Sequence, residues 1–239
     1  LKVEGLSRRG ELHDVSFALR AGEILGFAGL LGSGRTALAH AIFGAASIDA
    51  GRIRVHGRAT RISSPRQAIG AGIGLLTEDR KRHGLILDLS VRHNIALPVQ
   101  RSISRFGVVD PRRERELAAR FVRDLRIKTP SLEQVTLNLS GGNQQKVVLA
   151  KWLACQVDIL ILDEPTRGID VGAKQEIYRL IDRLAAEGVG IILISSELPE
   201  IIGLSDRVLV MREGRVAGVF TRPEVSQEEV LACAVGVGS

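Results

Sequence analysis

The chain has 239 residues, with 33 Lys and Arg against 27 Asp and Glu, so its formal net charge is +6. Hydrophobic residues make up 45% of the chain and charged residues 25%, which excludes a disordered protein and a disulfide scaffold. Two cysteines, Cys155 and Cys233, are too few for a secreted disulfide framework and favour a reducing compartment. The longest apolar runs fall short of the about 20 residues that a membrane-spanning helix needs. Because the chain begins with Leu1 rather than Met, we expect it to be a piece of a longer protein.

The positive charge has three interpretations: nucleic-acid binding, an anionic small ligand, and simple solvation. Only 3% of the residues are aromatic, and the basic residues are scattered along the chain. A surface on which single-stranded bases stack needs aromatic side chains in a basic groove. We therefore expect no nucleic-acid partner, and an anionic ligand or solvation accounts for the charge equally well.

The first 78 residues show apolar strands, turns and short helices that predict part of an α/β core. In chain order the predicted elements are short strands within 1–20, a buried strand at 24–28, a helix at 36–43 that stops at Gly44, short strands within 51–74, and a small helix from Pro65.

The middle of the chain differs, because residues 78–128 are highly charged and apolar residues recur there at helical spacing from residue 111. A helix begins at Pro111 with Leu117, Phe121 and Leu125 on one face, and a second helix covers 144–155. We predict that 79–156 form a helical subdomain inserted into a core of 1–78 and 157–239. The core resumes with a strand at 159–162, a helix at 173–186, a strand at 189–194, a short helix at 198–203, and strands at 207–211 and 216–220.

A glycine-rich loop separates the buried strand at 24–28 from the helix that follows it. The loop fits the phosphate-loop template G-x-x-x-x-G-K-[ST] at every position except that of the lysine, and it contains Gly29, Leu30, Leu31, Gly32, Ser33, Gly34, Arg35 and Thr36. Its glycines would let backbone N–H groups surround a β-phosphate, and the helix N-terminus would add its positive end. The hydroxyl of Thr36 is placed to ligate Mg²⁺. The plainer alternative is a glycine-rich turn that only starts a helix.

Arg35 stands where the template has lysine. A guanidinium is a wide planar fork, whereas lysine delivers a compact ammonium to the phosphate oxygens. We expect phosphate binding to survive this change and efficient hydrolysis to be lost.

Two acids follow the apolar strand at 159–162. Asp163 would hold the Mg²⁺ shell through water, and Glu164 would polarise the attacking water. The alternative is a core strand whose solvent-exposed end carries two acids, but the glycine-rich loop favours the catalytic interpretation.

A third motif precedes the helix at 144–155. Ser140 stands before two glycines, Gly141 and Gly142, so a hydroxyl, bare backbone amides and a helix dipole coincide. We predict a second anion site here, and an ordinary N-cap with a flexible entry is the alternative.

Together these motifs, with the helical insertion between the glycine-rich loop and the Asp163 strand, resemble the ATP-binding subunit of ABC transporters. The resemblance covers essentially the whole chain and implies a phosphate-loop NTPase fold with a RecA-like α/β core, an antiparallel β portion and the helical insertion. Residues 139–145 look like the family's signature motif, with Gln144 in it, and Gly168-Ile169-Asp170 looks like its D-loop. The segments 77–85, 139–146 and 163–174 are similar to the C-terminal half of the tandem ATPases that power bacterial ribose, galactose or arabinose uptake.

Four nucleotide-contacting features depart from the family pattern. Besides Arg35, the usual glutamine of the Q-loop is Glu78, the usual switch histidine is Ser196, and the adenine-stacking position near Ser7 or Arg8 is not aromatic. A carboxylate at residue 78 costs free energy near phosphate unless Mg²⁺ or Arg35 screens it. We therefore expect the site on this chain's own phosphate loop to be slow or inactive.

In this family two nucleotide-binding domains pack head to tail, which implies a division of labour. Ser140, Gly141 and Gly142 would complete the ATP site of an N-terminal ATPase half of the same polypeptide. The resemblance further implies transmembrane permease subunits, an indirect periplasmic sugar-binding partner, and a peripheral location on the cytoplasmic face of the bacterial inner membrane. Residues 79–84 and 91–98 are the candidates for contact with the permease, and a solvated helical face is the alternative. The transported sugar or nucleoside is not specified.

Two other functions stay open at this point. The first is a soluble ABC-type ATPase that acts on ribosomes or DNA. A long basic arm or an added domain would favour this function, and neither is visible in the sequence. A binding module without turnover of its own is compatible with the importer interpretation.

Overall fold

The computed structural model of the protein describes residues 1–222 and 226–236. The strands in these residues are β1 Lys2–Arg8, β2 Leu12–Ala18, β3 Ile24–Ala28, β4 Ala50–Val55, β5 Arg58–Ala59, β6 Ile73–Leu76, β7 Ser104–Arg105, β8 Val108–Val109, β9 Ile159–Asp163, β10 Gly190–Ile194, β11 Arg207–Arg212 and β12 Arg215–Thr221. The α-helices are α1 Arg35–Ile42, α2 Pro65–Gly70, α3 Val91–Ala96, α4 Pro111–Asp124, α5 Gly141–Ala154, α6 Val171–Ala186, α7 Leu198–Leu204 and α8 Gln227–Val235. Short 3-10 turns occupy Leu97–Val99 and Thr136–Asn138, and Arg80–Gly84 is a π-helical turn.

The chain divides into two compact units. The first contains residues 1–75, 158–164 and those from 181 onward, and the second contains residues 76–157 and 165–180. The second unit therefore encloses the predicted insertion, 79–156, and adds residues 165–180, which the prediction assigned to the core.

A six-stranded sheet of order β12-β11-β3-β10-β9-β6 forms the centre of the first unit. Strand β10 pairs in parallel with β3 and with β9, β11 pairs in parallel with β3, and β12 closes one edge antiparallel to β11. Every residue of β3, β9 and β10 is buried, as expected for strands covered on both faces. Their carboxyl ends meet at one edge, where ligands bind in open parallel sheets.

A separate four-stranded antiparallel sheet of order β2-β1-β4-β5 completes the first unit. Its inward residues include Val3, Leu6 and Leu12, all nearly inaccessible. The antiparallel β portion that the resemblance implied is therefore present.

The second unit is built on α3, α4 and α5. Helix α4 begins at Pro111 as predicted, with Asp110 accepting hydrogen bonds from the N–H groups of Arg112 and Arg113. Its predicted apolar face is confirmed, because Phe121 and Leu125 are buried. Buried Asn94 of α3 donates to the Thr136 hydroxyl at 2.9 Å and so links α3 to the segment before α5.

Helix α5 begins at Gly141, three residues before its predicted start at 144. Glycine is a poor helix former, so the sequence placed the glycine pair in a loop. A Cβ at residue 142 would lie 2.7 Å from the Ala173 Cβ, which shows that the close approach of α6 requires glycine there. Tertiary packing therefore accounts for the glycine at residue 142, inside the first turn of the helix.

None of the helices within residues 1–222 and 226–236 combines the length and the apolar character needed to cross a bilayer.

Candidate functional site

The glycine-rich loop joins β3 to α1 in the first unit, as predicted. Gly32 and Gly34 have φ of 79° and 100°, a region that glycine occupies without strain. Helix α1 has no side-chain cap and no acidic residue in its first turn, so its leading N–H groups stay available to an anion. Leu31 is fully exposed at the loop tip. The loop has the properties of a phosphate cradle.

Arg35 is directed to the carboxyl ends of the central strands. Its Nη1 donates a hydrogen bond of 2.8 Å to the carbonyl oxygen of Ser195, the residue after β10. Burial lowers the pKa of Arg35, and the nearby carboxyls of Glu164 and Asp163 partly offset that shift. The guanidinium is therefore engaged at the strand ends.

Asp163 ends β9 and is 1% exposed, yet neither of its carboxylate oxygens has a hydrogen-bond partner among the described residues. Burial raises the pKa of Asp163 to about 6, while the Thr36 hydroxyl, close by but outside hydrogen-bond geometry, favours the ionised form. An orphaned carboxylate beside a hydroxyl is a donor set that Mg²⁺ accepts. Asp163 and Thr36 fit the predicted cation.

Glu164 lies beside the predicted switch residue. The hydroxyl of Ser196 donates to Glu164 Oε2 at 3.1 Å, and the Glu164 N–H donates to the Ile194 carbonyl at 2.9 Å. Glu164 has φ of 51°, an uncommon conformation for a residue with a side chain. Burial raises its pKa, and the Ser196 hydroxyl and Arg35 lower it. The structure thus brings together the predicted residues Arg35, Thr36, Asp163, Glu164 and Ser196.

Within the residues that the structure describes, no group of three or more His, Cys, Asp or Glu side chains could hold a metal ion. Asp163 and Thr36 would supply part of the oxygen shell of a divalent cation, and water or oxygens of a bound phosphate would supply the rest.

The predicted second anion site lies at the N-terminus of α5, in the second unit. Ser140 does not cap the helix, because its hydroxyl accepts a hydrogen bond of 2.9 Å from the Asn143 side-chain amide. The first turn contains no acidic residue. The N–H groups of this turn have no side-chain cap, which argues against the ordinary N-cap and favours an anion.

Gln144 is 3% exposed, and its side chain is used inside the second unit. Its Nε2 donates to the Thr136 carbonyl at 3.1 Å, and its Oε1 accepts from Arg80 Nε at 3.3 Å. The burial of Gln144 does not support its predicted nucleotide contact.

Two other predicted residues have partners within the second unit. The carboxylate of Glu78 forms an ion pair with Arg167. Asp170 accepts a hydrogen bond of 2.9 Å from the Ala173 N–H, in the first turn of α6. The Glu78–Arg167 pair has no signal in the spacing of the residues, whereas Asp170, directly before α6, accepts from the N–H three residues on as an N-cap does.

A glycine-rich loop between a buried strand and a helix, beside an acid at the end of another parallel strand, defines the class of phosphate-loop nucleoside triphosphatases. The family model "ABC transporter" matches residues 12–167. The chain belongs to the ABC transporter family, so the predicted family and fold class are confirmed.

Relatives with high sequence identity are named as import ATP-binding proteins. The chain is 55% identical over 235 residues to a "Putative ribose/galactose/methyl galactoside import ATP-binding protein 2" of Burkholderia cenocepacia, covering 98% of this chain and 46% of that protein. It is 56% identical over 237 residues to "Ribose import ATP-binding protein RbsA 3" of Rubrobacter xylanophilus, covering 99% and 48%. The chain spans about half the length of these curated relatives.

Solved structures support the fold alone, because their identities are low. A nucleotide-free ATP-binding cassette from an ABC transporter matches with a TM-score of 0.80 at 19% identity, covering 97% of this chain and 94% of that one. The cbiO1 protein of Clostridium perfringens, part of the transporter complex cbiONQ, matches with a TM-score of 0.79 at 24% identity, covering 99% and 94%.

Proposed function

We propose that this chain is an ATP-binding half of a bacterial carbohydrate importer. The import names of relatives that are 55% and 56% identical support this function and do not favour the alternative of a ribosome- or DNA-directed ATPase. Its partners would be permease subunits and, through them, a periplasmic sugar-binding protein. It would act peripherally, at the cytoplasmic face of the inner membrane.

ATP would bind with its phosphates in the loop 29–34 and at the start of α1. The exposed N–H groups of that turn supply hydrogen bonds and positive potential, as phosphate cradles do. Asp163 and Thr36 would hold Mg²⁺, which neutralises phosphate charge when bound. The buried, unpartnered carboxylate of Asp163 is the support for this assignment.

The ATP site on this chain's own phosphate loop would hydrolyse ATP slowly. The observation that carries this proposal is the contact of Arg35 with Ser195. A guanidinium held by a backbone carbonyl at the strand ends is a poor substitute for a mobile lysine ammonium over the phosphates. Ser196 orients Glu164 by one hydrogen bond, but a hydroxyl cannot become a cation as a histidine can. Glu164 would therefore be positioned without the charged partner that assists hydrolysis.

The N-terminus of α5 would serve a second nucleotide site, on an N-terminal ATPase half of the same polypeptide. Ser140, Gly141 and Gly142 offer a helix N-terminus without a side-chain cap. Such a turn suits the terminal phosphate of a nucleotide held by another phosphate loop. The pair of halves would contain one working site and one slow site.

Purification of the complete polypeptide from membranes tests the proposed function. We expect the permease subunits to co-purify in detergent, and ATP turnover to rise when the sugar-loaded binding protein is added to reconstituted vesicles. Co-purification with RNA or DNA that nuclease treatment removes, without any membrane protein, would instead establish the ribosome- or DNA-directed alternative.

A further inference from the structure

The side chain of Arg80 connects two segments of the second unit that are far apart in sequence. Its Nη1 donates to the Arg167 carbonyl at 2.8 Å and its Nη2 to the Gly168 carbonyl at 3.4 Å. On its other side, Nε donates to the Gln144 side chain at 3.3 Å. One planar guanidinium therefore joins residues 167–168 to the first turn of α5.

Gly141 lies where these two segments pack closely together. A Cβ at this residue would lie 2.7 Å from Arg80 Nη2 and 2.9 Å from the Gly168 carbonyl oxygen. No side chain fits there unless Arg80 or the backbone at 168 moves. The glycine after Ser140 thus has a packing requirement in addition to any role at a phosphate.

The backbone that carries Arg80 is fixed by contacts independent of its guanidinium. Asp79 Oδ1 accepts hydrogen bonds from the N–H groups of Lys81 and Arg82, at 3.0 and 3.1 Å. At the other end of the π-helical turn, buried Lys151 donates to the Gly84 carbonyl at 2.5 Å. The guanidinium therefore extends from a backbone turn that is already bonded to α5 through Lys151.

We propose that Arg80 is a positioning residue that fixes the N-terminus of α5 relative to residues 167–168, and so to Asp170 just beyond them. The inference rests on the proposed trans action of this helix, since its N–H groups can serve a phosphate in another half only when they are held in one orientation. Misplacement by about 1 Å can cost about a hundredfold in rate. Lysine cannot replace Arg80, because a single ammonium lacks the planar fork that spans two carbonyls and an amide.

The test compares Arg80→Ala and Arg80→Lys with Arg120→Ala in the complete polypeptide. Arg120 is an exposed arginine of α4 in the same unit, paired with Asp124 at 3.4 Å, and serves as the matched control. Hydrogen exchange followed by mass spectrometry reports on peptides that cover 137–146 and 165–172, and steady-state ATP turnover gives kcat and KM separately.

Both Arg80 variants are expected to exchange faster in these two peptides and no faster elsewhere. Their kcat should fall at least about tenfold with little change in KM, because the nucleotide is held mainly by the phosphate loop of the other half. Millimolar guanidinium should restore part of the Arg80→Ala turnover, which a general loss of packing would not allow. Arg120→Ala should match the parent protein in every measurement.

Faster exchange in only one of the two peptides, or unchanged exchange with kcat within about twofold of the parent, would overturn the proposal. If the Arg80→Ala protein does not fold, the hydrogen exchange and kcat of Arg80→Lys test the proposal by the same criteria. A parent protein without ATP turnover would refute the proposed function and the catalytic role of Arg80, while the exchange data would still establish or refute the positioning contact.

Discussion

Replacement of Arg35 by lysine should strengthen Mg-ATP binding and lower the unfolding free energy of the chain. In the structure the guanidinium donates to the Ser195 carbonyl at 2.8 Å, beside Asp163 and Glu164. Lysine keeps the positive charge near both carboxyls but loses the planar fork that reaches the carbonyl. The ammonium is then free to reach the phosphate oxygens from the start of α1.

The two effects have opposite signs, and the gain in binding free energy is the larger. A hydrogen bond from a charged donor contributes about 1.5–3 kcal/mol, and partial exposure of Arg35 reduces this to about 1 kcal/mol of lost unfolding free energy. One new charge-assisted hydrogen bond to phosphate is worth about 1.5–3 kcal/mol, which tightens the Mg-ATP dissociation constant about tenfold to a hundredfold.

Calorimetric titration of Mg-ATP into the 239-residue chain measures the affinity, and urea unfolding measures the stability. Arg35→Gln is the matched control: it removes the charge, and we expect it to bind more weakly than the natural chain. If Arg35→Lys bound Mg-ATP no more tightly than the natural chain and unfolded at the same urea concentration, the contact with Ser195 would not restrain Arg35, and the reasoning would fail.

Two further predictions concern helix α5. Burial lowers the pKa of Lys151 to about 8, so the folded chain loses this proton at a lower pH than the unfolded chain. Its unfolding free energy should rise by about 3 kcal/mol between about pH 8 and 10.5. The comparison uses a Cys155→Ala background, which removes the opposing titration of the thiol. There Lys151→Met should abolish the rise in unfolding free energy with pH. An equal rise with and without Lys151 would contradict the prediction. Gly142→Ala should cost about 1–3 kcal/mol in thermal unfolding, because its Cβ would meet Ala173. Gly203→Ala, at a helical glycine with open space, is the control and should not destabilise; similar losses in both variants would contradict the packing argument.

Continuous apolar runs and helix caps made much of the fold predictable. The strands at 24–28 and 159–163 are short apolar segments bounded by turns and acids, and Pro111 marks a helix start. The β7–β8 hairpin was missed because its turn is Phe106-Gly107. Phe106 has φ of 51°, a conformation for which a bulky residue gives no sequence signal.

The site was predictable where adjacent parallel strands end together. Asp163 ends β9, Glu164 follows it and Ser196 lies just after β10, so the topology alone brings them to one edge. The pairing of Arg80 with the Arg167 carbonyl spans 87 residues, and no local pattern encodes such a contact. Gln144 belongs to a motif that we predicted to contact nucleotide, yet tertiary packing buries its side chain.

ATP turnover of the complete polypeptide, compared between Glu164→Gln and Ser140→Glu, tests the division of labour most directly. Glu164→Gln removes the acid of this chain's own site, and Ser140→Glu places a carboxylate at the helix N-terminus that we assign to the other half's nucleotide. Because Ser140 is exposed, its replacement should leave the fold intact. The account predicts near-parent turnover for Glu164→Gln and loss of turnover for Ser140→Glu. Loss of turnover in Glu164→Gln, with parent-like turnover in Ser140→Glu, would contradict it.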